Sequence, residues 1–130
     1  MDSSRQLGLL YIFVGSGLGG VVRYGLAMGV RGVYNKPFPM GTFVVNVVAC
    51  LLMGFLVGMA DQKQLLSPAG RLFWTVGFCG GFSTFSAFGM DIINLLKQGN
   101  AATAAVYMAA SVVVCLLALA GGLQVAARMA

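Results

Sequence analysis

The stretch PAGRLFWTVGFCGGFSTFSAFGMDIINLL, residues 68–96, is long and apolar enough to cross a bilayer, yet it carries Gly80-Gly81 and the hydroxyls of Ser83, Thr84 and Ser86 near its centre. About 20 residues suffice to span, so this polar patch falls at mid-membrane depth. Adjacent glycines weaken a helical ladder, and Ser83 or Thr84 is suited to cap a helix restarting toward Asp91. The pattern predicts a transmembrane helix broken near Gly80 to Thr84. Unwound backbone is tolerated at that depth only where it is buried in protein or lines a polar cavity, and its carbonyls are then free to hold a cation.

Working outward, three more apolar segments run from Leu7 to Val30, Gly41 to Ala60 and Ala101 to Ala127. The expected architecture is all-α: one transmembrane domain over residues 1–130 with helices at about 7–30, 41–60, 68–96 and 101–127. The connections are short and carry turn signals: Asn35, Pro37 and Pro39 in the first, Asp61 to Ser67 before Pro68, and Lys97 to Asn100. Each span should pack antiparallel to the next. Composition agrees, since 59% of residues are hydrophobic and 8% charged, against roughly a quarter charged in soluble domains. MDSSRQ leads straight into an apolar run too long for a signal sequence, so that run is expected to be a retained helix.

The net charge of +5 does not imply nucleic acid, because the basic residues are scattered singly between apolar runs. If both termini share one side of the membrane, that side carries Arg5, Lys63, Arg71 and Arg128, and the other carries Arg31, Lys36 and Lys97. With so level a balance, the chain can insert either way up, and two opposite copies can pair as an antiparallel, dual-topology homodimer. Cys50, Cys79 and Cys115 lie inside apolar runs, match neither a disulfide framework nor paired metal-ligand spacing, and read as small buried residues. Small residues recur at four-residue spacing, Gly15 with Gly19, Gly25 with Gly29, Gly54 with Gly58 and Gly77 with Gly81, as expected where helix backbones approach closely in lipid. Gly15, Gly17 and Gly20 fit a dinucleotide pattern, but no strand precedes them and no acidic residue follows at the needed distance.

Polar side chains inside spans are costly, so function concentrates there. Phe85 and Phe88 lie one turn apart beyond the expected break, in the company of hydroxyls and of Asn46, which sits mid-span in the second helix. Aromatic rings carry a positive edge, so two phenylalanines turned edge-on can stabilise a small dehydrated anion alongside donors. Asn46 offers two N–H groups, and Ser111 and Tyr107 add hydroxyls one turn apart on the fourth helix. The chain has no His and no Glu, and Asp2, Asp61 and Asp91 all sit near expected span ends. That leaves no deep ionisable group for proton coupling, no Ser/His/Asp or Cys/His set, no metal cluster and no phosphate loop. Passive conduction remains, and no enzyme activity is expected.

Three ordered motifs, Gly20-Val21-Val22-Arg23-Tyr24, Gly41-Thr42-Phe43-Val44-Val45-Asn46 and Gly77-Phe78-Cys79-Gly80-Gly81-Phe82-Ser83-Thr84-Phe85-Ser86, resemble the Fluc or CrcB family of fluoride channels, with the similarity covering the whole chain. The resemblance implies a dual-topology homodimer with two antiparallel pores, exporting fluoride down its gradient across the bacterial inner membrane. Phe85 and Phe88 would line the pores, Asn46 would donate to the ion, Ser111 would belong to a polar track with Tyr107, and Thr42 and Ser86 would complete the pore set. Arg23 would lie toward a vestibule, and Asp91 would match an acidic position after the aromatics. The carbonyls of Gly80 and Ser83, from both subunits, would hold a structural sodium ion at the two-fold axis. Two departures are visible: Ala87 replaces a hydroxyl residue between the last two phenylalanines, and Cys115 stands one turn beyond Ser111 where a hydroxyl is common. A small multidrug exporter, also four helices, is disfavoured because it depends on a membrane glutamate. A purely structural membrane subunit, its polar groups only joining helices, is the non-transporting alternative.

Overall fold

The computed structural model describes residues 3–61 and 64–129, so Asp2 and Lys63, used above in the carboxylate and charge readings, lie outside the described residues. Among the described residues there are five helices: α1 (Ser3–Val33), α2 (Met40–Asp61), α3 (residues 68–82), α4 (Ser86–Lys97) and α5 (Ala101–Arg128). Together α3 and α4 make one of four candidate membrane spans, the others being α1, α2 and α5.

α1 is longer than its apolar run at both ends. Its 31 residues reach about 46 Å at 1.5 Å per residue, well beyond a hydrocarbon core of about 30 Å. The hydrogen-bonded ladder does not stop where apolar side chains stop, and Ser3 to Gln6 and Arg31 to Val33 continue it into polar surroundings. Elsewhere local chemistry sets the ends. Ser67 accepts a hydrogen bond from the Gly70 N–H at 3.0 Å, and Pro68 follows it in the first helical position, the favoured way to begin a helix. α4 ends at Gly99, whose φ of +80° lets its N–H reach the Leu96 carbonyl while Asn100 N–H reaches that of Leu95, the paired closure that glycine permits. An exposed ion pair joins Asp61 to Arg71 across the second connection, where solvent leaves such a pair worth little.

Packing runs as a chain of neighbours. α3 lies on α1, α1 on α2, and α2 makes its largest interface with α5, while α4 packs on α5. Glycines bring these backbones together. A Cβ on Gly15 or Gly19 would run into the Phe73 or Phe78 carbonyl, one on Gly81 into the Ser16 carbonyl, and those on Gly54 and Gly122 into the Leu119 and Leu51 carbonyls. Gly58 meets Ala126 and Gly77 meets Ile12 and Gly15, but Gly25 and Gly29 have open space. Three of the four spaced pairs therefore serve close packing, as small residues do in membranes.

α3 departs from expectation in detail. Its Leu72–Cys79 portion is a wide π-helical turn, which nothing in the local sequence announced. The helix then continues through Gly80–Phe82, so Gly80 and Gly81 do not themselves unwind, and Gly81 is needed because α1 presses against it. Ser83 is extended (φ −79°, ψ 155°) and helix resumes at Ser86. Residues 83–85 change the chain's neighbours: α3 leans on α1, whereas α4 leans on α5. The two core clusters reflect this, with Phe82 meeting Val45 and Ala49, and Leu95 meeting Ala104 and Tyr107.

Candidate functional site

The non-helical residues 83–85 are pinned by one side chain. Asn46 Oδ1 accepts from the Thr84 N–H at 3.0 Å, and Asn46 Nδ2 donates to the Thr84 carbonyl at 3.2 Å. This reciprocal pair satisfies a backbone unit that has left its helix, as backbone in lipid requires. It also fixes the amide's orientation and leaves Asn46 one further N–H. The Thr84 hydroxyl accepts from Ala87 N–H at 3.2 Å, so of the two hydroxyls expected to cap the restarted helix it is Thr84 that does so.

These bonds have a second effect. In an uninterrupted helix Thr84 N–H would reach the Gly80 carbonyl and Ala87 N–H the Ser83 carbonyl. Both donors are instead taken by side chains, so the Gly80 and Ser83 oxygens lose their helical partners. Two such carbonyls, on residues exposed in this chain, are hard oxygen donors of the kind that suit an alkali or alkaline-earth cation.

Beside this segment lies a cleft of about 290 Å³, lined in part by Asn46, Ser83, Thr84, Phe85, Phe88 and Ser111. Ser111 is 7% exposed, and its Oγ has no hydrogen-bond partner. A buried hydroxyl without a partner costs about 1–3 kcal/mol, and this one lies in the wall of the cleft. The Phe85 and Phe88 rings stand 5.7 Å apart and tilted by 40°, not stacked face to face, which leaves ring edges to meet a guest. Phe85 is 81% exposed. The cleft is thus open on its Phe85 side.

Other expected site residues lie elsewhere. Tyr107 is fully buried; its hydroxyl donates to Asp91 Oδ2 at 3.1 Å, and its ring packs on Phe88 and Phe38. Its hydroxyl is therefore committed, although one helical turn separates it from Ser111. Ser86 sits with its Oγ 3.4 Å from that of Thr84 and does not line the cleft. Arg23 donates through Nε to the Gly81 carbonyl at 3.3 Å. It lines a smaller cavity with Arg31, Thr42 and Thr84, so Thr84 borders both spaces and a cationic mouth adjoins the cleft. Thr42 belongs to that mouth and lies near the Tyr107 hydroxyl.

Cys50 and Cys115 also line the cleft. Cys115 was noted from sequence one turn beyond Ser111, but not the matching four-residue offset of Cys50 from Asn46, which puts that thiol on the same face of α2 as the amide.

The model of the CrcB-like protein, Camphor Resistance (CrcB) family matches residues 10–123. The chain is 39% identical over 117 residues to the fluoride-specific ion channel FluC of Nitrobacter winogradskyi, covering 90% of this chain and 93% of that protein. It is 44% identical over 118 residues to the FluC of Bacteroides fragilis, covering 88% and 92%. It is 36% identical over 121 residues to that of Flavobacterium psychrophilum, covering 93% and 98%.

Proposed function

The chain belongs to the CrcB-like family, and from that premise we propose that it is a fluoride-selective channel conducting passively, with two antiparallel pores in a dual-topology homodimer. It is a multi-pass protein of the bacterial inner membrane and not an enzyme. The observation that carries the channel reading is the cleft that Asn46, Phe85, Phe88 and Ser111 line together, with the Ser111 hydroxyl lacking a partner.

Fluoride is small and strongly hydrated, so its passage requires donors that replace water and yet release the ion. A hydroxyl, a single amide N–H and ring edges offer moderate stabilisation spread over several groups. A fixed cation inside the cleft would hold the ion too long; Arg23 stands at the neighbouring mouth, tied to Gly81, where it can gather anions without binding them in the path. Tyr107 supports Phe88 from behind and Thr42 borders the mouth.

The homodimer is supported by the level Lys/Arg balance and by the exposure of Phe85, Gly80 and Ser83, which a second copy would cover. In that dimer the released Gly80 and Ser83 carbonyls of each chain would hold a structural sodium ion. Its charge would favour anions nearby. The break between α3 and α4 would then lie at mid-membrane depth, inside protein.

The test is fluoride efflux from liposomes carrying purified protein, followed with a fluoride-selective electrode. Fluoride should leave and chloride should not. Phe85→Ile and Phe88→Ile should each slow efflux about fivefold, the effect of an aromatic contribution of about 1 kcal/mol, with the oligomer unchanged. Vesicles that retain their fluoride would leave the structural-subunit reading standing, and full-rate mutants would remove the rings from the path.

A further inference from the structure

The three cysteines, all read from sequence as small buried residues, are not equivalent in space. Cys79 is 1% exposed in the core of α3. Cys50 on α2 and Cys115 on α5 are half-buried and line the same open cleft. Cys50 stands four residues beyond Asn46 on α2 and Cys115 four beyond Ser111 on α5, so both thiols border the cleft on the same side of those two residues. The two helices are held together by a glycine crossing further along, at Gly54 one turn past Cys50 and at Gly122 about two turns past Cys115, where the α2 and α5 backbones press against the Leu119 and Leu51 carbonyls. Neither helix can drift without losing that contact, so both thiols stay on the walls of one cleft.

We propose that Cys50 and Cys115 form a two-thiol clamp for a soft, thiophilic metal cation of the Hg2+ or Ag+ type, which on binding plugs the cleft one turn beyond Asn46 and Ser111. Ligand chemistry selects the class. Thiolates prefer soft cations, and the chain has no His. Among the described residues no group of three or more His, Cys, Asp or Glu side chains could hold a metal. A tetrahedral zinc site, which needs about four ligands, is therefore out of reach, and cations content with two collinear sulfurs remain. For Hg2+ each S–H bond breaks with its proton passing to water in the cleft, and each sulfur lone pair forms a bond to the metal; no electron is transferred. The product is a neutral bis-thiolate in an apolar surround. Metal binding stands apart from the channel reading, whereas the plugging rests on it.

Purified protein given one equivalent of Hg2+, then challenged with a monothiol such as mercaptoethanol, is expected to keep one metal per chain by intact mass. Cys50→Ala and Cys115→Ala should each surrender it at roughly a hundredfold lower monothiol, because a second thiol held in place acts at high effective concentration. Cys79→Ala should retain it. If an alanine variant does not fold, Cys50→Ser and Cys115→Ser take its place. In liposomes Hg2+ should slow wild-type fluoride efflux and a dithiol should restore it, while each clamp variant, compared with its own untreated rate, should be insensitive. Equal retention by wild type and both clamp variants, or loss only in Cys79→Ala, overturns the clamp. Retention in wild type without any slowing overturns the plug. A protein that binds the metal but never releases fluoride, treated or not, sinks the channel reading and leaves the clamp intact.

Discussion

Ser111 shows how a residue's role follows from what its neighbours leave undone. Its hydroxyl lines the cleft, is buried, and has no partner, so removing it relieves a desolvation cost. Ser111→Ala is expected to leave the fold as stable or more stable by about 1 kcal/mol, and at the same time to slow fluoride efflux. Detergent melting and electrode traces on one preparation check both; a variant that loses stability and flux together would make Ser111 a structural residue. Asn46 is the counterpart, since its two bonds to Thr84 give it a scaffolding duty that sequence alone could not separate from ion binding. The residue types of the site were legible in the sequence: an intramembrane amide, a hydroxyl and two phenylalanines. What was hidden was which of their hydrogen-bonding groups were already spent. Tyr107 and Ser111 look alike on a helical wheel, yet one hydroxyl is held by Asp91 and the other is free of partners.

At the scale of the element, glycine has two distinct duties here. Gly81 lies where a Cβ would strike the Ser16 carbonyl, whereas Gly25 faces open space. Gly81→Ala is therefore expected to push α3 off α1, losing several kcal/mol as overpacking of about 1–3 kcal/mol is joined by lost contacts. Gly25→Ala should be neutral or stabilise by up to about 1 kcal/mol through helix propensity. Melting of both variants in the same detergent checks this, and equal melting points would remove the α1–α3 contact as the reason for Gly81. The sequence marked Gly77 and Gly81 as a packing pair correctly and placed the break near Gly80 to Thr84, a range whose glycine half stays helical. The interruption sits instead at residues 83–85, where Asn46 captures Thr84 N–H and the Thr84 hydroxyl captures Ala87 N–H. The first of these competitors comes from another helix, which no local pattern could reveal.

For the whole molecule, the level charge balance and the exposed Phe85 side of the cleft lead to one expectation about assembly. A tag added at the C-terminus should be reachable by an impermeant label from both faces of the membrane in roughly equal shares, because neither orientation is favoured by more than one Lys or Arg near the spans. Adding three lysines to the connection between α1 and α2 should drive the label to one face and lower efflux, as opposite copies become scarce. Labelling confined to one face in the unmodified protein would exclude dual topology.

Hydropathy, the Ser67-Pro68 start and the Gly99 stop are local properties, and the sequence alone determined from them the four segments able to cross a membrane, which the described residues bear out as helices, and roughly where each one turns. Only the tertiary structure decided which neighbour each helix face meets. That choice sets the partner of every polar group, because an interhelical hydrogen bond depends on the rotation and spacing of elements far apart in the chain. Thus it is packing that ties up Tyr107, leaves Ser111 unpaired, releases the Gly80 and Ser83 carbonyls, and brings Cys50 and Cys115 to one cleft.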